Sequence, residues 1–374
     1  MSWDRIVGQK RVQQLLQRMH EHDRIPHALL FYGQEGSGKD AVALEFARVL
    51  NCEGASWNAC GSCPSCRAMD TLQHPRLKLI FALPAKKDED GATDKLSEDE
   101  LDDIQEQIAE KAENPYHRIH VNKATDIKIS SIRGIRKEAA FRAKEGGRTV
   151  VVISEADRMN RNSANALLKT LEEPGGDLLL ILTTSRKDSL LPTIISRCQL
   201  VRFDLLGTAD IRDHLHREPD VNRETVETAA HLSAGNYRAA LEMAREDGLI
   251  GREAVLEYIR SVVLNNPIKL MDNIQQILGR EDRQTLSRFL TAVASWFRDV
   301  MALREGVDSL MNSDFEDALR RFSEHYPDTR CSAAIDEIER SIALVRKNVH
   351  LTTLMIVLSQ RLRKHIVTPA NEGA

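Results

Sequence analysis

The sequence has few aromatic residues, no surplus of positive charge and no long apolar run. Aromatic residues make up only 5% of the 374 positions, which favours aliphatic, helix-rich packing. Lys and Arg number 52 against 56 for Asp and Glu, so an overall basic coat for nucleic acid is excluded and any such contact must be local. No segment approaches the roughly 20 apolar residues of a membrane span, and the first ten residues contain no apolar signal region. We therefore expect a cytoplasmic protein.

The length and the hydrophobic pattern predict several domains, of which the first is α/β. At the usual size of roughly 100 to 200 residues per domain, 374 residues provide two or three domains. Continuous apolar runs, which are typical of buried parallel strands, alternate with helical patterns in the first two hundred residues. These runs lie at 27–32, 77–81, 149–153 and 178–182.

After about residue 205 the strand signals cease and helical periodicity continues to the end. A break at 246–251 separates a small helical unit from a larger one. The last helix carries one apolar face, which predicts either a buried core helix or a subunit interface. That face consists of Leu351, Leu354, Met355, Leu358 and Leu362.

A glycine-rich loop at 33–40 follows the first apolar run and precedes a helical pattern, which is the context of a Walker A loop. In such a loop the glycines let backbone N–H groups close on phosphate oxygens, and the lysine, here Lys39, reaches the outer phosphates. The predicted nucleotide-binding positions also include Gly33, Gly36 and Gly38. The alternative is a tight turn with an exposed lysine.

Both positions that would bind magnesium depart from the nucleotide-hydrolysing pattern. Asp40 stands where a Ser or Thr hydroxyl is needed, and its carboxylate would repel phosphates unless a cation lay between them. Ser154 stands where the Walker B strand would carry Asp, while Glu155 occupies the position of the base that polarises water. Asp40 could supply the carboxylate missing at Ser154, but the simpler interpretation is a degenerate site that binds ATP and Mg²⁺ at most and does not hydrolyse.

Four of the six cysteines cluster in one short window, as Cys52, Cys60, Cys63 and Cys66. Four thiolates satisfy tetrahedral Zn²⁺ and leave no open position, so the spacing predicts a structural zinc site. The alternative is four reduced cysteines in a loop. The other two cysteines are expected to be ordinary buried thiols.

Two further segments are strongly charged. Residues 86–113 contain twelve acidic and four basic side chains, which predicts a solvated, mobile insertion with room for one helix. Residues 129–144 predict a helix with basic side chains off its apolar face, suited either to holding DNA phosphates or simply to solvent. The phosphate-holding candidates are Arg133, Arg136 and Lys137.

Taken together, five segments resemble, in order, the bacterial sliding-clamp-loader subunits of the AAA+ class. They are 3–9, the loop at 33–40, the cysteine cluster, 165–174 and 191–198. The resemblance implies an α/β AAA+ P-loop domain over 1–204, with a parallel sheet, a zinc module inserted at about 52–66 and an acidic insertion at about 86–113 that fits the family pattern poorly. It implies a helical lid over 205–248 and an all-α collar over 249–374 that joins other subunits.

The resemblance also assigns roles to single residues. Arg197 is expected to act as an arginine finger in a neighbouring subunit's nucleotide site, where a guanidinium stabilises developing phosphoryl charge. Thr184 matches the sensor 1 position and Arg238 the sensor 2 position. The basic helix at 129–144 would face a central DNA chamber.

Within the family, Asp40, Ser154 and the absence of a long tail favour a non-hydrolysing stator over the tau/gamma motor subunits. The implied function is to join tau/gamma and delta subunits in a ring that loads the sliding clamp onto primed DNA. One alternative is a tau/gamma-like motor in which Asp40 and Glu155 manage magnesium together. Another is a zinc-containing AAA+ adaptor with no catalytic role.

Overall fold

A computed structural model describes most of the chain. The described residues are 3–54, 56–84, 97–121, 124–142, 148–175, 177–223, 225–245, 252–264, 266–279, 283–306, 310, 315–345 and 349–367. The chain divides into two compact units, of which the first comprises Met1–His214 and Ala234–Ala239, and the second Leu215–Ser233 and Ala240–Ala374. The division into three domains at 204 and 248 stays a prediction.

The first part of the chain alternates strands and helices. The strands are β1 (Ala28–Tyr32), β2 (Leu77–Ile80), β3 (Leu83–Pro84), β4 (Ala124–Asp126), β5 (Thr149–Ile153), β6 (Leu178–Thr184) and β7 (Gln199–Arg202). The helices are α1 (Lys10–Glu21), α2 (Lys39–Asn51), α3 (Pro64–Asp70), α4 (Glu98–Glu113), α5 (Ile129–Arg142), α6 (Arg161–Glu172), α7 (Pro192–Ile195) and α8 (Thr208–Leu215). Short 3₁₀ helices lie at Trp3–Arg5, Ala156–Arg158 and Lys187–Ser189.

The later part is helical, and the described residues after β7 contain no strand. Its helices are α9 (Val226–Leu232), α10 (Tyr237–Ala244), α11 (Arg252–Leu264), α12 (Pro267–Leu278), α13 (Arg283–Arg304), α14 (Glu316–His325), α15 (Cys331–Val345) and α16 (Leu351–Ile366). Among the described residues, no helix is both long enough and apolar enough to cross a bilayer.

Five strands form one sheet in the order β2-β5-β6-β1-β7, and every neighbouring pair is parallel. The four predicted apolar runs all lie in it, so the α/β prediction is confirmed. Both faces are covered, since every residue of β5 and β6 is buried. The sequence analysis missed β7 because three of its four residues are exposed and it contains no continuous apolar run.

The sheet brings the nucleotide motifs together at one edge. In parallel strands the carboxyl ends all point the same way, and ligands of open α/β sheets bind beyond those ends. β1 lies inside the sheet between β6 and β7, so the loop that follows it meets the ends of β5 and β6. The helix after the loop, α2, is buried on nearly every side, which holds the loop against the sheet.

The acidic segment contains one described helix, α4. Its start is fixed by a capping box in which the Ser97 side chain accepts from Glu100 N and the Glu100 side chain accepts from Ser97 N, at 3.3 and 2.8 Å. Acidic side chains in the first turn also suit the positive end of the helix dipole. Residues 86–96 of the predicted insertion lie outside the described residues.

The second unit has its own helical core, built around α13. Aromatic side chains pack edge to face there, with the Trp296 and Phe322 rings 6.3 Å apart and inclined by 84°. In α16, Met355, Leu358 and Leu362 are each at most 1% exposed, so the central part of the predicted apolar face is core.

Candidate functional site

The phosphate loop is folded back onto its own lysine. Lys39 Nζ donates to the carbonyl oxygens of Gly33 and Gln34 at 2.9 and 2.6 Å, and Lys39 is only 9% exposed. Burial lowers the pKa of Lys39, although the neighbouring Asp40 and Glu35 act in the opposite direction. The group that would reach the outer phosphates therefore already has backbone partners within the loop.

Residues 235–238, from the segment that precedes and starts α10, cover the loop. Gly36 has φ +72°, and a Cβ atom there would lie 1.7 Å from Asn236 Oδ1. Tyr237 N donates to Gly36 O at 3.2 Å, so backbone as well as side chain holds the cover in place. Only glycine allows this approach at Gly36.

Arg238, the predicted sensor 2 residue, reaches the loop and pairs with a loop carboxylate. Its Nη2 lies 2.5 Å from Glu35 Oε1, and Arg238 is 8% exposed. Burial raises the pKa of Glu35, but Arg238 and then Arg118 outweigh burial and hold it below its ordinary value. Arg238 therefore reaches the glycine-rich loop, with the loop carboxylate of Glu35 as its partner, and its sensor 2 role stays a prediction.

Asp40 is the centre of a compact polar cluster. Its Oδ2 accepts from Ser154 Oγ at 2.9 Å and lies 3.2 Å from Lys111 Nζ, and its Oδ1 accepts from Thr183 Oγ1 at 2.6 Å. Burial raises the pKa of Asp40, but Lys111 and the two hydroxyl hydrogen bonds outweigh burial and lower it. Asp40 and Ser154, the two residues that depart from the magnesium-binding pattern, are thus in direct contact.

Lys111 was missed by sequence reasoning. It comes from α4, and its side chain is 2% exposed. Besides Asp40, its ammonium contacts the carbonyl oxygens of His117 and Pro115 at 2.7 and 3.5 Å. The signal that could have found it is the expectation that Asp40 needs a nearby cation.

Glu155, the predicted catalytic base, is held by two arginines. Arg118 Nε lies 2.5 Å from its Oε1, and Arg158 Nη1 lies 3.3 Å from its Oε2. Each carboxylate oxygen therefore has a guanidinium partner. A residue so paired is poorly placed to polarise water, because its charge is already matched.

Thr184, the predicted sensor 1 residue, lies at the end of β6 with its hydroxyl occupied. Thr184 Oγ1 donates to Asp157 Oδ1 at 2.6 Å and accepts from Arg186 N at 3.0 Å. Successive strand residues point to opposite faces, so it is the preceding Thr183 whose hydroxyl reaches Asp40. The sequence analysis did not single out Thr183.

The space left at this edge of the sheet is a cavity of about 90 Å³ whose lining includes Lys39, Asp40 and Lys111. Magnesium fits its donor set poorly. Mg²⁺ needs oxygen lone pairs in an octahedron at about 2.0 to 2.1 Å. Here the hydroxyls of Ser154 and Thr183 donate their protons to Asp40, and the third neighbour of Asp40 is itself a cation.

The four clustered cysteines could bind a metal ion. Their Sγ atoms all lie within 4.8 Å of one another, and Cys60 and Cys66 Sγ are 4.0 Å apart. A tetrahedral site with Zn–S bonds of about 2.3 Å needs sulfurs about 3.8 Å apart, so the donor set fits. Backbone N–H groups point at the sulfurs, and donors from Ser62 and Cys63 lower the pKa of Cys60 to about 6. The other two cysteines, Cys198 and Cys331, are buried single thiols.

The loop between the first two clustered cysteines is fixed to the start of the chain. Trp57 stacks on Trp3 with ring centroids 4.6 Å apart and planes inclined by 16°. Trp3 Nε1 also donates to Trp57 O at 3.1 Å. The cysteine loop is therefore anchored to the rest of the first unit by an aromatic pair as well as by α2 and α3.

Arg197 follows α7 and joins two of the motif segments. Its Nη2 lies 2.9 Å from Glu172 Oε1 at the end of α6, and its Nη1 donates to Thr193 O at 3.0 Å. The side chain is 36% exposed, so the guanidinium remains accessible from solvent.

The predicted basic helix is α5. Ile132 and Ile135 are at most 1% exposed and Arg133 is exposed, in agreement with the predicted apolar and basic faces. The side chains of Arg136 and Lys137 lie outside the described residues.

The parallel sheet, with a glycine-rich loop after an interior strand, defines the class of P-loop α/β proteins. A solved DNA polymerase III gamma subunit-related protein from Thermotoga maritima has the same fold, with a TM-score of 0.50 and 15% identity over 95% of this chain and 99% of that one. The chain belongs to the family described as DNA polymerase III, delta subunit, which matches residues 8–206.

Curated relatives agree with this family. The chain is 26% identical to DNA polymerase III subunit delta′ of Bacillus subtilis over 100% of this chain and 99% of that protein. It is 32% identical to the Pseudomonas aeruginosa delta′ subunit over 63% of this chain and 61% of that protein. It is 28% identical to the Escherichia coli tau subunit over 73% of this chain but only 38% of that protein. The predicted resemblance to clamp-loader subunits is confirmed, and the branch favoured over the tau/gamma motors is that of the delta′ subunits.

Proposed function

We propose that this chain is a stator of the replicative clamp loader, which holds its place in a ring with tau/gamma and delta subunits while the ring places a sliding clamp on primed DNA. Its work is done in the cytoplasm. The helices after residue 205 serve as lid and collar, and the collar joins the other subunits.

One observation carries the stator assignment: the chain's own nucleotide site is filled by its own charged side chains. Lys39 is bonded to loop carbonyls, Asp40 to Lys111, and Glu155 to Arg118 and Arg158. Every group that would act on ATP and Mg²⁺ therefore has a protein partner. Hydrolysis would require these contacts to be broken, and the pair between Asp40 and the 2% exposed Lys111 is the costliest of them to break.

The active contribution of the stator is Arg197. Its guanidinium is accessible to solvent. The ion pair with Glu172 and the hydrogen bond to Thr193 O fix the orientation of the side chain. A planar guanidinium suits the oxygens of a transferring phosphoryl group, and an arginine supplied in trans raises such rates by about 10³- to 10⁵-fold. Arg197 completes a neighbouring subunit's ATP site.

The remaining sites have supporting roles. The four thiolates hold a structural Zn²⁺ that fixes the loop between α2 and α3, since a set of four protein ligands leaves no position for a substrate. The exposed face of α5, which includes Arg133, contacts DNA phosphates without reading sequence.

The test is ATP turnover by a reconstituted clamp loader that contains the full-length chain. We expect Arg197→Ala to lower the DNA-stimulated rate at least tenfold and Lys39→Ala to leave it unchanged. Arg212→Ala is the matched control, since Arg212 is also ion-paired and has a similar 38% exposure. Loss of turnover in Lys39→Ala would instead identify a motor subunit, and unchanged turnover in Arg197→Ala would identify an adaptor without a catalytic role.

A further inference from the structure

The acidic helix α4 carries a single basic residue, and that residue is buried. Lys111 is the only Lys or Arg in Glu98–Glu113, where eight side chains are acidic. Its side chain is 2% exposed, although lysines are almost never so deeply buried unless they are paired. The rest of α4 is mostly exposed or half-buried. The helix therefore inserts one positive charge into the first unit and keeps its negative charges at the surface.

The ammonium of Lys111 has a full set of partners. A lysine ammonium has three protons to donate. Three acceptors lie around this one: Asp40 Oδ2 at 3.2 Å, His117 O at 2.7 Å and Pro115 O at 3.5 Å. The two carbonyls come from the turn that follows α4, so the end of the helix and Lys111 form one preassembled cationic group aimed at Asp40.

The position of this group corresponds to that of a phosphate-loop metal. In P-loop proteins the residue after the loop lysine and an acidic residue at a strand end hold Mg²⁺ between them. Here those two positions are Asp40 and Ser154, which are 2.9 Å apart between Oδ2 and Oγ, and the positive charge beside them is the Lys111 ammonium. In the usual pattern the loop residue carries the hydroxyl and the strand-end residue the carboxylate, whereas here Asp40 carries the carboxylate and Ser154 the hydroxyl. The Lys111 ammonium supplies the positive charge beside them.

We propose that Lys111 is a tethered cation that takes the place of the divalent metal at the phosphate loop, and that α4 thereby closes this chain's nucleotide site from within. The inference rests on the proposed stator function and gives it a mechanism. A lysine in the metal position neutralises Asp40 permanently and independently of nucleotide. It also explains how a carboxylate can follow the loop lysine without destabilising the fold.

The test uses denaturation of the full-length chain with and without Mg²⁺ at constant ionic strength. The variants are Lys111→Met, which keeps the apolar stem, Asp40→Asn, and the double substitution. Asp40→Asn leaves the 2% exposed Lys111 ammonium without its main partner, so we expect the unfolded-to-folded ratio to rise about a hundredfold or more. Lys111→Met leaves the Asp40 carboxylate, which is 27% exposed, so its effect should be in the same direction but smaller. The double variant should be closer to wild type than either single variant. Lys169→Met, at an exposed lysine of α6, is the control.

Magnesium supplies the discriminating result. In 10 mM MgCl₂, the denaturation midpoint of Lys111→Met should rise relative to NaCl of equal ionic strength, while wild type and the double variant should not respond. If Lys111→Met does not fold alone, Mg²⁺ must restore its folding. Independent effects of the two substitutions, or a wild-type response equal to that of Lys111→Met, would overturn the proposal. Because no ATP turnover is measured, this result is independent of the Arg197 test of the stator function.

Discussion

The contact between Gly36 and Asn236 predicts a large cost for adding one methyl group to the phosphate loop. With φ +72° at Gly36, an alanine pays roughly 1 to 2 kcal/mol for the left-handed backbone. Its Cβ would also lie 1.7 Å from Asn236 Oδ1, so Asn236 must move. That movement breaks the bonds from Ala239 N to Asn236 Oδ1 and from Tyr237 N to Gly36 O, each worth about 1 kcal/mol. Gly36→Ala should therefore destabilise by about 3 to 4 kcal/mol.

Urea denaturation of Gly36→Ala and Gly306→Ala separates the backbone cost from the steric cost. Gly306 has nearly the same φ, +74°, but a Cβ there would have no neighbour within 4 Å. Its substitution should cost only the left-handed backbone term of roughly 1 to 2 kcal/mol. If Gly36→Ala were no more destabilising than Gly306→Ala, the close packing of residues 235–238 on the loop would be refuted.

Two further predictions concern acid and metal. Because the pKa of Asp40 lies below its ordinary 3.8 in the folded chain, the unfolded chain binds that proton more readily, so the stabilisation is complete above about pH 4 and is lost as pH falls through the folded pKa. Denaturation midpoints between pH 6 and pH 2.5 should therefore fall more steeply for wild type than for Asp40→Asn, and equal slopes would contradict this. Elemental analysis should find about one zinc ion per wild-type chain and none per Cys63→Ser chain, which should also be less stable. The control Cys198→Ala should keep its zinc. Zinc retained by Cys63→Ser would exclude the four-cysteine site.

The features that sequence analysis predicted well have local signals. Continuous apolar runs identified β1, β5 and β6, because a strand buried on both faces is apolar along its whole length. The mostly apolar run at 77–81 identified β2, which is only partly buried. The spacing of the cysteines placed four sulfurs within 4.8 Å of one another, because all four lie in one loop and two helix ends.

The features that it missed depend on contacts between distant parts of the chain. Lys111 and Asp40 are 71 residues apart, and Thr183 and Asp40 are 143 residues apart. Neither spacing carries a periodic or motif signal, so the partners of Asp40 become visible only in the folded chain. The sensor position shows the same limit on a finer scale, since a shift of one residue along β6 decides whether a threonine faces Asp40 or Asp157.

The stacked pair of Trp3 and Trp57 gives the cysteine loop an optical signal of its own. Two of the three tryptophans of the chain are in this pair, and the third, Trp296, is in the core of the second unit. The fluorescence of an indole ring depends on stacking and on exposure to water, so opening of the cysteine loop would change the fluorescence of Trp3 and Trp57. The fluorescence of Trp296 would stay unchanged. The order of the loop can thus be followed in the unlabelled protein.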